Sequence, residues 1–80
     1  MKVKILGFGI VKDIFQSPSV DIELGEPQTS SQLRELLYTQ YPELGRLKTF
    51  MIAINNVYEE KNQQINAFDE IAIIPPVSGG

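Results

Sequence analysis

Alternating apolar and polar residues open the chain and predict its first two β-strands. Residues 2–8 divide into two faces, with Val3, Ile5 and Gly7 on one and Lys2, Lys4, Leu6 and Phe8 on the other. Residues 10–15 lead into a turn at residues 16–19, and residues 20–24 alternate again. We therefore expect an antiparallel pair of strands. Gly7 and Gly9, near the end of the first strand, indicate a bulge or a close approach by another segment.

The apolar spacing changes to that of an α-helix between residues 29 and 41. The apolar stripe consists of Leu33, Leu36, Leu37 and Tyr41. The opposite, solvent-facing side consists of Arg34, Glu35 and Gln40. Thr29 and Gln32 have the spacing of a capping box, and Pro42 ends the helix. Residues 43–48 are a connector with room for a short turn of helix. We interpret the stripe as core packing.

The second half of the chain predicts three more strands and a fold class. Residues 50–54 and 57–58 flank Asn55-Asn56, a plausible tight turn because Asn tolerates positive φ. Residues 59–64 are a solvated stretch, and residues 71–74 are apolar on both faces, as a central strand requires. One helix stripe covers one sheet face, so we predict a two-layer α+β domain. If the first and last strands are parallel neighbours, it is a β-grasp (ubiquitin-like) fold, with a mixed sheet and one main helix packed on one face.

Composition removes several classes of function. The 80 residues fit a single domain and contain neither His nor Cys, so the commonest general base and metal ligand and all thiolate nucleophiles are missing. No convergent carboxylates, lysines or tyrosines replace them, and we expect a chain that is not catalytic alone and holds no metal. The net charge of −3, with scattered basic residues, disfavours nucleic acid. Lysines interrupt the apolar start and no membrane-spanning run follows, so we expect a cytoplasmic protein without membrane partners.

The chain ends in a segment suited to insertion into another protein. Glycines have no Cβ, so a Gly-Gly ending can pass through a narrow slot and carry its carboxylate inside. Two preceding prolines favour an extended path, and residues 75–80 can span about 20 Å. We predict one domain over residues 1–80, with residues 75–80 as an extended C-terminal tail. The tail residues are Pro75, Pro76, Val77, Ser78, Gly79 and Gly80.

Strand alternation also predicts an exposed apolar patch at the foot of this tail. If the inward face of the first strand packs on the helix, Leu6 and Phe8 point outward, and Ala72 and Ile74 do so from the last strand. Contiguous exposed apolar surface on a small protein often marks an interface. A bulge at Gly7 or Gly9 would instead turn Phe8 inward. The predicted partner interface comprises Leu6, Phe8, Lys12, Tyr58 and Ile74, with Lys12 at its rim.

Two segments resemble a known family. Residues 69–80, Asp-Glu-Ile-Ala-Ile-Ile-Pro-Pro-Val-Ser-Gly-Gly, resemble the ending of the small, sulfur-carrying subunits of molybdopterin synthase, which are ubiquitin-like proteins. Residues 4–14 resemble that family's first strand and the following turn, where Phe8 matches a partner-facing aromatic residue and Lys12 stands where arginine is common. Two positions depart from the pattern. Ala67-Phe68 replaces a frequent Asp-Gly, so a positive-φ turn is not expected there, and Gly7 replaces a frequent larger residue.

The resemblance implies a function as a sulfur carrier. A ubiquitin-activating-type adenylyltransferase would use ATP to form an acyl-adenylate on Gly80, and a sulfurtransferase or cysteine desulfurase would supply the sulfur of a thiocarboxylate. The tail would then enter the large, catalytic subunit of the synthase and donate sulfur to cyclic pyranopterin monophosphate in molybdenum cofactor biosynthesis. The expected assembly is a heterotetramer of two small and two large subunits. The carrier itself would bind no cofactor, and acid–base residues would lie on the large subunit.

Three other interpretations stay open. The sulfur carrier of thiamine synthesis shares the fold and the Gly-Gly ending, although its tail usually lacks the Pro-Pro-Val-Ser segment. A ubiquitin-like protein modifier would join Gly80 to lysines of target proteins through isopeptide bonds. A plain interaction module would carry an inert tail.

Overall fold

Seven short strands and two α-helices make up the part of the chain that the computed structural model describes, which is residues 2–25, 28–47 and 49–76. The strands are β1 (Lys2–Gly7), β2 (Ser19–Glu23), β3 (Gln28–Thr29), β4 (Met51–Ile54), β5 (Val57–Tyr58), β6 (Gln64–Ile65) and β7 (Ile71–Ile74). The helices are α1 (Ile10–Phe15) and α2 (Ser30–Gln40), and a 3-10 helix follows at Pro42–Arg46. None of the helices in the described ranges is long and apolar enough to cross a membrane.

Five strands form a mixed sheet in the order β2-β1-β7-β4-β5. β1 pairs antiparallel with β2 and parallel with β7, and β7 pairs antiparallel with β4. Ile71 and Ile73 of this central strand are buried in the core, whereas Ala72 and Ile74 on its other face are only partly buried. The predicted α+β, β-grasp arrangement is confirmed, as is the antiparallel pairing of the first two strands.

The main helix α2 forms and packs as the sequence predicts. Its capping box is complete, because the Gln32 N–H donates to Thr29 Oγ1 and the Thr29 N–H donates to Gln32 Oε1. Leu33 and Leu37 are fully buried against the inward face of the sheet. The core also contains Val3, Ile5, Val11, Ile22, Phe50, Ile52, Ile65, Ile71 and Ile73.

Arg34 corrects the prediction of a uniformly solvent-facing side of α2. Its guanidinium lies 4.6 Å from the centre of the Phe50 ring, donates to the Phe50 carbonyl at 2.7 Å and forms an ion pair with Glu59. The side chain is therefore only partly exposed, and it joins the helix to the sheet. Helical spacing places a residue on a face, but it does not show which long side chains bend back over a neighbouring ring.

Helix α1 was not predicted, because residues 10–15 were interpreted only as a lead into a turn. Six residues are too few for a helical period to be recognised, although Val11 and Phe15 are both buried at the i, i+4 spacing. The helix ends at Gln16, which has left-handed backbone angles of φ 58° and ψ 29°. The small sheet of β3 and β6 was missed for a similar reason, since each strand has two residues.

The contact between α1 and β1 explains the glycine at position 7. A Cβ there would lie 2.8 Å from Phe15 Cδ2 and 3.2 Å from the backbone nitrogen of Lys12. Real Cβ atoms essentially never show the first distance, and the second is tighter than most Cβ contacts, so a larger residue at position 7 would force the helix and the Phe15 ring to shift. The close approach predicted at this end of the strand is confirmed.

Candidate protein interaction site

The outward face of the sheet carries a groove of about 310 Å³ beside the end of β7. Its apolar lining consists of Leu6, Phe8, Ala53, Tyr58, Ala72 and Ile74. Its polar end consists of Asn56 and Glu70. The two classes of lining residue suit a surface that buries apolar side chains of a partner and keeps polar groups at one end.

Strand register explains why the surface is concave. Leu6 lies opposite Ala72, Ala72 opposite Ala53, and Ala53 opposite Tyr58, so these side chains form one row across four strands. The two alanines in the middle of the row are small, while the leucine and tyrosine at its ends are large. The row is therefore low at its centre and high at both sides, which produces the groove.

A second outward row lies nearer the start of the tail. Ile74 is opposite Met51, and the Phe8 N–H donates to the Ile73 carbonyl at 3.3 Å, which brings the β1 end alongside the end of β7. Phe8 is 49% exposed and Met51 43% exposed, although both are large and apolar. Such contiguous exposed apolar surface is typical of an interface with another protein.

Four of the five predicted interface residues meet in this groove. Leu6, Phe8, Tyr58 and Ile74 all line it, and no bulge turns Phe8 inward. Lys12 does not line the groove. Lys12 lies on α1, whose backbone approaches the inward side of Gly7. Contact of Lys12 with a partner therefore stays a prediction.

The sequence analysis missed Met51 and Ala53 as members of this surface. Ile52 and Ile54 are buried in the core, so the residues that alternate with them on β4 point outward. The same alternation that identified Leu6 and Ile74 contains this signal for residues 50–54. Asn56 and Glu70 carry no comparable signal, because a turn and a loop place them.

The tail leaves the sheet beside the groove, against Gly9. Pro75 directly follows Ile74 and is partly buried, and a Cβ on Gly9 would lie 3.2 Å from Pro75 Cγ. Gly9 has φ 56° and ψ −130°, angles that residues with a side chain rarely adopt. Pro76 is exposed, and the predicted tail residues Val77, Ser78, Gly79 and Gly80 lie outside the described residues.

The substitution Gly9→Ala tests this contact. We expect it to lower the free energy of unfolding by about 1–3 kcal/mol, because alanine strains the backbone there and its methyl group crowds Pro75. Urea denaturation measures the loss. Gly45→Ala is the matched control, since a Cβ at Gly45 would meet no described atom within 4 Å. Equal effects of the two substitutions would contradict the assignment.

Hydrogen bonds hold the polar end of the groove. Asn55 and Asn56 form the predicted turn with φ of 54° and 68°. The Asn55 side chain donates to Asp69 Oδ1 at 2.9 Å and accepts from the Glu70 N–H at 2.9 Å. No residue from 66 to 70 has a positive φ, as the absence of Asp-Gly predicts. The two ends of the sheet's outward face are thus set by different means, the tail end by apolar packing and the other by this network.

Comparison with known proteins gives a consistent set of similarities. The family model described as the ThiS family matches residues 5–80. A molybdopterin synthase sulfur carrier subunit from Dictyostelium discoideum is 40% identical over 82 residues, which cover 96% of this chain and 94% of that protein. These matches extend over nearly the whole chain, including the outward face of the sheet.

Solved structures show the same arrangement of strands and helices. A structure of small archaeal modifier protein 1 from Haloferax volcanii covers 100% of both chains with a TM-score of 0.83 at 21% identity, a likeness of fold. A complex of subunits 1 and 2 of the molybdopterin-converting factor from Helicobacter pylori contains a chain that is 26% identical, with a TM-score of 0.70 and full coverage of both chains. The latter protein is solved together with a partner subunit.

Proposed function

Since the chain belongs to the ThiS family, we propose that it is the sulfur carrier subunit of molybdopterin synthase. The observation that supports this most directly is the apolar groove beside the start of the tail. A partner bound in the groove would lie next to the point where Pro75 and Pro76 leave the domain. The relative from Dictyostelium discoideum that bears this name supports the same assignment.

We propose that Gly80 carries the sulfur. A carboxylate is ionised at neutral pH and is a poor electrophile, so it must be activated first. An adenylyltransferase of the ubiquitin-activating type would join Gly80 to AMP from ATP and release pyrophosphate. A sulfurtransferase or cysteine desulfurase would then provide persulfide sulfur that displaces AMP and, after reduction by a thiol, leaves a thiocarboxylate.

The tail then acts as a nucleophile that the protein carries to its partner. The thiocarboxylate sulfur would attack a carbon of the cyclic pyranopterin monophosphate held by the large subunit and displace the oxygen bound to that carbon. Water would then cleave the acyl–sulfur bond, so that the sulfur stays on the substrate and Gly80 returns to a carboxylate. Two deliveries supply the two sulfurs of the dithiolene. Gly79 would allow close approach inside the partner, while Pro75, Pro76 and Val77 would keep the inserted tail extended and so lower the entropy cost of insertion.

The partner on the groove is proposed to be the large subunit of the synthase. The Helicobacter pylori complex of the two subunits supports this choice. Association would cover Leu6, Phe8, Tyr58 and Ile74 and direct the tail into the partner's active site. Acid–base and substrate-binding residues are then needed only on the large subunit, and the carrier needs neither a bound cofactor nor a metal.

Mass spectrometry of the intact chain tests the proposal. After incubation with the activating enzyme, ATP and a persulfide sulfur donor, we expect Gly80 to gain the mass difference between sulfur and oxygen. The product should then support molybdopterin formation by the large subunit. Omission of ATP is the control and should leave the mass unchanged.

Other outcomes of the same experiment would overturn the proposal. Covalent ladders on target proteins without a thiocarboxylate would identify a protein modifier. A thiocarboxylate that serves thiazole formation and not molybdopterin formation would identify the thiamine pathway. If no activating enzyme of the cell modifies Gly80, the chain is an interaction module with an inert tail.

A further inference from the structure

Phe68 is the most exposed large apolar residue in the described part of the chain. It is 99% exposed, whereas the next, Val57, is 65% exposed. It lies in the loop of residues 66–70 between β6 and β7, and its ring is almost entirely in solvent. The ring therefore contributes next to nothing to the core, and the fold gives no reason for an aromatic residue here.

The loop around Phe68 is nevertheless held in place on both sides. The Asp69 carboxylate accepts from the Asn66 N–H at 2.7 Å and from Asn55 Nδ2 at 2.9 Å, and the Asp69 N–H donates to the Asn66 carbonyl at 3.1 Å. The next residue, Glu70, donates its N–H to Asn55 Oδ1 at 2.9 Å and accepts from the Asn55 N–H at 2.8 Å. Polar groups order the loop without any help from the ring. An aromatic side chain on such a backbone loses little conformational freedom when it binds.

The loop is continuous with the groove that we assign to the large subunit. Glu70 lines the polar end of the groove, and Asn56, the neighbour of Asn55, lines it as well. Phe68 is two residues from Glu70 and one from Asp69, which is bonded to the same turn. A partner that fills the groove to its polar end therefore reaches the loop that carries Phe68.

We propose that Phe68 is an anchor for the large subunit and inserts into an apolar pocket of that protein next to the groove. This inference depends on the proposed function. Buried aromatic residues in preorganised surroundings often dominate the energy of an interface, and a phenylalanine buries roughly 150–250 Å². The anchor lies at the end of the groove opposite the tail, so it fixes the direction in which the carrier lies on its partner.

Titration calorimetry of the full chain with the large subunit tests this inference. We expect Phe68→Ser to weaken the affinity about 10- to 30-fold, with unchanged urea denaturation because the ring is not packed. Phe68→Leu, which keeps an apolar side chain, should restore most of the affinity. Val57→Ser is the matched control, because Val57 is opposite Ile54 in the register and so lies on the other face from the groove. It should bind like the unsubstituted chain.

The outcomes separate this inference from the proposed function. If Phe8→Ala weakens binding and Phe68→Ser does not, the groove is the interface and the anchor is wrong. A Phe68→Ser variant that loses self-association or affinity for the activating enzyme, but not for the large subunit, overturns the inference too. If the unsubstituted chain does not bind the large subunit at all, both the proposed partner and the proposed role of Phe68 are wrong.

Discussion

Deletion of Gly80 is expected to abolish sulfur transfer while the domain stays folded. The residue bears the only carboxylate that the proposed chemistry activates, and without it the tail is shorter and presents Gly79 at the wrong depth in the partner. The buried core of the described residues ends at Ile73, so the free energy of unfolding should change by less than about 0.5 kcal/mol. Molybdopterin formation with purified large subunit measures the transfer, and urea denaturation measures the fold.

Two further variants make this result specific. A chain extended by one residue beyond Gly80 should be equally inactive, because the added residue blocks adenylation of the glycine. Ser78→Ala keeps the length of the tail and its carboxylate, and should retain most of the activity. Full activity of the truncated or extended chain would show that Gly80 does not carry the sulfur.

The substitution Phe8→Asp is expected to have the second-largest effect, on affinity for the large subunit. It introduces a charge beside Ile74 in the outward apolar row, where a bound partner would exclude water from it. An unpaired charge or polar group buried in this way costs several kcal/mol, so we expect affinity to fall by about 100-fold or more. Titration calorimetry with the large subunit measures the loss.

A matched change of charge separates this effect from general repulsion. Asn62→Asp adds the same negative charge on an exposed loop and should leave the affinity nearly unchanged. Since Phe8 is half exposed and lies outside the core, Phe8→Asp should unfold at nearly the same urea concentration as the unsubstituted chain. If Phe8→Asp binds the large subunit about as tightly as Asn62→Asp does, the groove is not part of the interface.

Long alternating or periodic segments made the sheet and the main helix predictable from sequence. The alternation of β1 identified Leu6 and Phe8 as outward residues, and the capping box located the start of α2 within one residue. The strand alternation and the helical spacing each persist over enough positions to distinguish a period of two residues from a period of about 3.6. The same alternation explains why the predicted residues Leu6 and Ile74 line the groove, whereas Ala53 of β4, in the middle of the row, was missed.

The elements that were missed are short or depend on tertiary contact. Helix α1 has six residues, and β3 and β6 have two each, too few for a period to repeat. The partial burial of Arg34 depends on Phe50 and Glu59, which are distant in sequence. The close packing at Gly7 became apparent only when α1 was placed over it.

The parallel pairing of β1 with β7 affects how the protein is made. These central strands are more than sixty positions apart in the sequence, so the loop between them must close late, and such distant pairings form slowly. During synthesis the first strand has to wait, with one edge unpaired, until residues 71–74 emerge from the ribosome. Residues 75–80 follow directly, so a nascent chain cannot complete its sheet long before these residues are translated. Termination before residues 71–74 would thus leave an unstable chain for proteases to remove, whereas loss of Gly80 alone leaves the sheet complete.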